Sequence, residues 1–264
     1  MTTAQRILEP GDAGYPQRLG ALQTPPTLHV RGALSEGSAI AIVGARAASM
    51  KGIERAHAIA KHVAAHGVRV VSGGALGIDG AAHRGAKAAT TVVLGSGIDV
   101  LYPARHIELF EAIVASGGAL VSMFPRGTTP RAGTFIKRNA IISALADAVI
   151  VVEADVRSGS LSTAGAAFKQ GRLVGAAPGS AGCAKLLAQG AALVENGDDA
   201  LGLLAGRARS HPCAAAVLDE NAARVRDAMV AGVRGIDAIV RHTGLSVRAV
   251  LRALPQLESS ARLM

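Results

Sequence analysis

Tryptophan is absent from this sequence, and four phenylalanines and two tyrosines are its only aromatic residues. Half of the residues are nonetheless apolar, so the core is expected to be aliphatic, built from Val, Ile, Leu and Ala with Gly at the turns. Cysteine is equally scarce. Cys183 and Cys213 lie far apart and belong to no C-x-x-C pair, which excludes a disulfide framework or a zinc ribbon and fits a reducing compartment. Long hydrophobic runs are missing too: the longest, around 148–152, is far too short to span a bilayer. The amino terminus, Met-Thr-Thr-Ala-Gln-Arg, has no apolar h-region, so a cytoplasmic protein, neither exported nor anchored to a membrane, is expected. Negative charge is in short supply. Nineteen acidic residues against 28 basic ones leave a net charge of +9, which disfavours an acidic-tail or halophilic protein and favours a polyanionic partner such as nucleic acid.

What is present is organised around Val68-Arg-Val-Val-Ser-Gly-Gly-Ala-Leu-Gly-Ile-Asp-Gly-Ala-Ala-His83, a β-branched run, a glycine cluster and a small-residue helix. Ser72, Gly73, Gly74 and Gly77 make a turn without Cβ bulk in which backbone N–H groups could meet an anion, with Asp79 capping the next helix. The spacing is neither G-x-G-x-x-G nor that of a P-loop. A tight strand-to-helix connection with no ligand is the alternative reading.

The 264 residues have room for one α/β core and a small appended domain. Residues 1–36, rich in Pro and Gly, read as an extended lead-in ending in a short strand at 28–31. Residues 37–204 then alternate: strands at 39–43, 68–72, 91–94, 119–123, 148–153, 173–177 and 192–194, with helices near 52–65, 79–88, 106–115, 138–145, 160–170 and 184–189. Alternation of this kind implies a mainly parallel sheet covered on both faces. The turns after the strands carry Gly44 and Arg46, Ser72 to Gly74, Gly95 and Gly97, Arg126, and Arg157 with Ser158, Gly159 and Ser160. In a parallel sheet these turns share one edge, where open α/β sheets bind ligands. Arg46, Arg126, Arg131, Lys137, Arg138 and Arg157 would line that groove with positive charge, which suits a phosphate backbone. Phe135 either packs or offers a stacking face to a base.

Other constellations carry less. His62 and His66 stand four apart on one helix without the carboxylate of H-E-x-x-H, so no metal site is expected. Ser158, Ser160, His83 and Asp79 lack a G-x-S-x-G elbow, and Ser160 reads better as a helix N-cap. Glu153 and Asp155 either do acid–base work, satisfy backbone N–H groups or pair with Arg157. Neither a catalytic residue nor a cofactor is expected. Residues 205–215 read as a linker, and 216–264 as a compact helical unit with a helix-turn-helix around Thr243-Gly-Leu245. There Arg248 and Arg252 share one face, and Val247, Val250, Leu251 and Leu254 supply the buried side.

From about residue 15 onward the sequence resembles the DNA-processing protein A (DprA/Smf) family. The resemblance rests on Ile42-Val-Gly-Ala-Arg46, the Ser72 to Asp79 turn with His83, Leu94-Gly-Ser-Gly-Ile-Asp-Val-Leu-Tyr-Pro103, Phe124-Pro-Arg-Gly-Thr128, Phe135-Ile-Lys-Arg-Asn139 and Arg157-Ser-Gly-Ser-Leu161, in that order and spacing. It implies an extended Rossmann-like domain that binds single-stranded DNA, dimerises, and loads the RecA recombinase onto incoming DNA during natural transformation, with 216–264 as a winged-helix-like domain. Family DNA contacts would fall on the Gly44 to Arg46 turn, the Ser72 turn and Lys137, Arg138 and Asn139. The tail-to-tail dimer would use Leu186, Leu187, Leu203 and Leu204. The sequence departs from the family pattern at His106, Met123, Ala140 and Ala184. The rival expectation from another class is a nucleotide-processing enzyme such as a phosphoribohydrolase, but Pro178-Gly179-Ser180 does not continue into the Pro-Gly-Gly-x-Gly-Thr turn and glutamate of those enzymes.

Overall fold

Runs of Val and Ile buried on both faces are what the centre of a parallel sheet requires. In the computed structural model, which describes residues 5–209, 220–233, 235–251 and 253–254, these runs form a nine-stranded sheet. The strands are β1 Gln5–Leu8, β2 Leu28–Gly32, β3 Ala39–Gly44, β4 Arg69–Ser72, β5 Thr90–Val93, β6 Ala119–Ser122, β7 Ala148–Glu153, β8 Leu173–Ala176 and β9 Ala192–Leu193. Their order across the sheet is β1-β2-β6-β5-β4-β3-β7-β8-β9, parallel except for the antiparallel pairings β1 to β2 and β2 to β6. The helices are α1 Met50–Ala65, α2 Ile78–Ala86, α3 Ile107–Ala115, α4 Ala132–Ala144, α5 Gly159–Lys169, α6 Ala181–Ala188 and α7 Gly197–Leu204.

Residues 5–36 are more than a lead-in. Leu28 and Val30 are fully buried, and β2 hydrogen-bonds along β6, so this segment extends the sheet. The strand expected at 28–31 is β2, while β1 and α7 were not anticipated. Elsewhere the expected strands stand within a residue or two. The chief discrepancy is α4, which begins at Ala132 rather than near 138; the Thr134 hydroxyl accepts from the Arg131 N–H and starts it early.

Strand order reverses at β3. The chain walks from β3 through β4 and β5 to β6, then returns to place β7 on the other side of β3. Right-handed crossovers on opposite sides of such a point send their helices to opposite faces and leave a crevice at the carboxyl ends of the two strands. On one face α1, α2 and α7 pack with Ile40, Ile42, Val70, Ile150 and Val152. Gly85 lets α1 and α2 approach: a Cβ there would stand 2.3 Å from the His57 carbonyl oxygen.

Three of the four expected dimer residues are buried, one of them, Leu203, in this core. Leu203 is 3% exposed and packs on β8, and Leu186 and Leu187 are buried as well, leaving only Leu204 partly accessible. A second copy cannot reach those side chains without opening the fold. Leu203→Glu is therefore expected to lower the thermal denaturation midpoint sharply, since even truncating a buried leucine costs about 2–5 kcal/mol. A folded Leu203→Glu protein with an unchanged midpoint by circular dichroism would show this packing to be wrong.

The carboxyl-terminal unit is a separate cluster. Helix α8, Glu220–Val230, and helix α9, Ile236–Thr243, are followed by helical residues from 247, around a core of Ala222, Val225, Ile239, Val250 and Ala253. Gly244 ends α9 in the left-handed conformation, φ 68°, as the turn requires. Val250 is buried as expected, but Val247 and Leu251 are each 49% exposed and do not belong to the buried side. The Arg252 side chain, Cys213 and most of the expected linker at 205–215 lie outside the described residues.

Candidate functional site

The crevice at the β3 and β7 ends is a cleft of about 470 Å³. Gly44 enters it from the end of β3 and Arg46 from the loop that follows, Ser158, Gly159 and Ser160 from the start of α5, and Phe135, Arg138 and Asn139 from α4. Glu153 fixes the Arg46 loop at both ends. Its carbonyl accepts the Ala45 N–H at 2.8 Å, and its carboxylate accepts the Ser49 N–H at 2.9 Å and the Ser49 hydroxyl at 2.6 Å. The Ser49 hydroxyl in turn accepts from Gly52 N–H as the cap of α1. Of the uses weighed for Glu153, satisfaction of backbone N–H groups is the one the structure shows.

Because α4 starts early, Phe135, Arg138 and Asn139 fall at i, i+3 and i+4 and share one face. Asn139 donates to the Gly159 carbonyl at 3.2 Å and to the Ser162 hydroxyl at 2.8 Å, tying α4 to the start of α5. Phe135 does not present a free ring: Arg46 lies 4.9 Å and Arg138 5.7 Å from its centroid, and a Cβ on Gly95 would stand 2.5 Å from the ring. Arg138 is only 4% exposed. Among the described residues its guanidinium makes no hydrogen bond, and its Nε is buried without a partner. Burial pushes its pKa down to about 10, against the opposing pull of Asp79, so it is charged at neutral pH. Burial likewise raises the Asp79 carboxyl above the ordinary range, with Arg138 working against that rise.

Several expected contacts are not in the cleft. Ser72 is fully buried and donates to the Ile42 carbonyl at 2.6 Å. Gly73 makes room for Arg138, and Gly74 for Phe110 and Val92. Gly95 makes room for Phe135, and a Cβ on Gly97 would meet the Pro125 carbonyl. The space beside these glycines is taken by other parts of the protein. Gly159 is different, since a Cβ there would meet nothing within 4 Å. Lys137, one position from Arg138, points about 100° away on the helix and is exposed; Arg157 is exposed outside the cleft lining. Arg126 donates to the Gln5 side chain. The cap of α5 is Ser158, whose hydroxyl accepts from Ser160 N–H, and Ser160 is the second helical residue. Asp79 does not cap α2 either: Gly77 does, and the Asp79 carboxylate reaches back to Ala75 N–H at 3.3 Å.

Three residues near the site carry roles that the sequence concealed. Tyr102, 47% exposed, stands 5.9 Å from Phe135 and is the aromatic ring open to solvent here. His106, where the family pattern has asparagine, is buried and donates from Nδ1 to the Gly74 carbonyl at 2.9 Å, holding that turn. His83 is buried as well. Thr90 donates to the Val70 carbonyl, so its oxygen accepts from His83 Nδ1–H at 2.8 Å, which leaves Nε2 unprotonated and without a partner. Burial first, then His106, Arg138 and Arg84, lowers the His83 pKa from 6.5 to about 3. Between those values the unfolded chain binds the extra proton, so the stability tied to His83 is complete above pH 6.5 and is lost as pH falls toward 3. Taking the protein from pH 7 to 4.5 should remove about 2 kcal/mol through this group, and His83→Gln should flatten that part of the profile in urea titrations.

His62 and His66 stack on each other, and His62 Nε2 lies 3.1 Å from Asp198; no cluster of three metal-ligating side chains occurs among the described residues. No helix among them is long and apolar enough to cross a membrane.

The family model described as DNA recombination-mediator protein A matches residues 6–205, most of the chain. The chain belongs to this family. The DprA winged helix domain matches residues 209–258, so the carboxyl-terminal unit is a winged helix domain of the same family. The DNA processing protein DprA of Mycobacterium tuberculosis is 42% identical over 236 residues, covering 83% of this chain and 60% of that protein. This chain thus spans about 60% of the length of its mycobacterial relatives. DNA processing protein A of Streptococcus pneumoniae superposes with a TM-score of 0.69 at 35% identity, over 75% of this chain and 73% of that one. DNA processing protein A of Helicobacter pylori, whose structure is described as showing a single-stranded DNA binding mode, superposes at 0.71 with 28% identity, over 79% and 100%. The extended Rossmann-like expectation for the DprA fold holds.

Proposed function

We propose that this protein binds single-stranded DNA along the cleft between β3, α4 and α5, as a homodimer in the cytoplasm, and passes it to the RecA recombinase during natural transformation. The observation that carries the DNA reading is Arg138. A buried guanidinium without a hydrogen bond is costly unless an anion completes it, and this one lines a cleft that also holds Arg46 and the start of α5. The helix end supplies N–H groups and a favourable dipole for a phosphate. Tyr102 offers a face for a base. The single-stranded DNA binding described for the Helicobacter pylori relative supports the same assignment. The reading is one of binding, and the cleft hydroxyls of Ser158 and Ser160 bond to each other at 2.6 Å. RecA loading is tested by strand exchange on DNA coated with single-strand-binding protein, which this protein should accelerate.

Binding to phosphates without base readout should weaken with salt, with a log–log slope of about −0.7 per phosphate neutralised on a single strand. Arg46→Ala should therefore make the slope shallower by roughly 0.7 for every base sequence. Lys137→Ala, on the outer face of α4, should change it less, and Arg248→Ala in the winged helix domain least. Fluorescence anisotropy with labelled oligonucleotides at several salt concentrations decides this. Loss confined to Arg248→Ala would move the DNA site to the winged helix domain.

A further inference from the structure

A second cavity, of about 330 Å³, lies at the opposite end of the sheet, under the amino ends of β3, β4 and β5. It is closed by Pro16, Gln17 and Arg18 from the amino-terminal segment and by residues 34–37. Two arginines reach it, and they are in different states. Arg18 is bound in bidentate fashion by Asp147, at 2.9 and 3.0 Å. Among the described residues Arg69 has no carboxylate partner: it donates to the hydroxyls of Ser35, at 3.0 Å, and Thr91, at 3.3 Å. Thr91 is 2% exposed. Burial lowers the Arg69 pKa from its ordinary value. A guanidinium has five N–H donors, so besides these two bonds the Nε–H and one N–H on each Nη remain to meet an oxyanion. Pro16, Leu34, Val71 and Leu145 supply apolar wall beside it. Glu36, exposed on the cavity rim, is the acidic group in the lining and forms no ion pair among the described residues.

We propose that this cavity is a binding site for a small organic oxyanion, a carboxylate or a phosphate monoester, whose charged end lies on Arg69 and Ser35 and whose apolar body lies against Leu34, Val71 and Leu145. Its volume falls in the range of small-ligand pockets. The site is independent of the DNA cleft, because none of its lining residues is shared with it.

Benzoate and phenyl phosphate, which carry the same body on different anions, test it on the full chain by thermal denaturation and calorimetry. At least one of them should bind saturably and raise the midpoint by about 2–4 °C at roughly ten times its Kd. Inorganic phosphate, without the body, should bind more weakly. Arg69→Met should abolish the shift, Arg69→Lys, which keeps the charge but not the fork, should weaken binding about tenfold or more, and Glu36→Gln should strengthen it. Arg46→Ala should leave it unchanged. The proposal is overturned if neither organic probe binds at 10 mM, on the order of the weakest small-ligand affinities, if the shift survives in Arg69→Met, or if it disappears in Arg46→Ala.

Discussion

Arg138→Met is expected to lower affinity for a single-stranded oligonucleotide by roughly 30-fold or more, a larger loss than any other single change in the cleft. Removing one member of a buried charged contact costs about 2–5 kcal/mol of binding, and Arg138 is the buried cation of the site. The fold should survive. The vacated space is filled by the methionine stem, and Asp79, whose carboxyl burial already raises above the ordinary range, takes up a proton once the guanidinium is gone. Asp79→Asn gives the opposite sign, because it removes the anion that competes for Arg138, so the oligonucleotide should bind at least as tightly as to the wild type. Anisotropy titrations of the two variants, with near-ultraviolet circular dichroism to verify packing, make the comparison. A folded Arg138→Met protein with wild-type affinity would remove the central support of the DNA reading.

The sheet was legible because its signal is local. Aliphatic runs such as 148–153 have the length and β-branching of buried strands, and glycine marks where they end. Of the amino-terminal strands, β2 was legible as the strand at 28–31 but its place in the sheet was not, because it pairs with β6, which lies some ninety residues away. Strand β1, which pairs only with β2, was not legible at all. The cleft was half legible. That Gly44, Arg46 and Ser158 to Ser160 meet follows from parallel strands and a reversal of order, but α4 required knowing its first residue. Gly133, Thr134 and Phe135 are weak helix formers, and a helix read from 138 makes Lys137, Arg138 and Asn139 look like one basic segment. With the true start, one of the three is buried, one exposed and one bonded to α5. The glycines misled for a related reason. Sequence shows that Gly73 and Gly95 need space, but only the tertiary structure shows that Arg138 and Phe135 fill it.

Gly159→Asp separates stability from binding. Gly159 is the first residue of α5, exposed, with open space where a Cβ would stand. Aspartate there should stabilise the protein by about 0.5–1 kcal/mol, since it replaces the flexible residue and places a negative charge at the positive end of the helix dipole. The same charge occupies the place proposed for a DNA phosphate. At about 4 Å two like charges repel by about 1 kcal/mol in water and about 4 kcal/mol at a protein surface, so oligonucleotide affinity should fall by roughly 5-fold or more. Gly159→Asn, which has the same shape without the charge, should keep most of the affinity. Because the repulsion is electrostatic and exposed, the gap between the Asp and Asn variants should narrow as salt is raised from about 0.05 to 0.5 M. Urea denaturation and anisotropy on the same three proteins read both effects. A Gly159→Asp protein that is more stable yet binds as tightly as Gly159→Asn at low salt would mean that no phosphate sits at the start of α5, and the DNA path would then have to run along Arg46 and Arg138 alone.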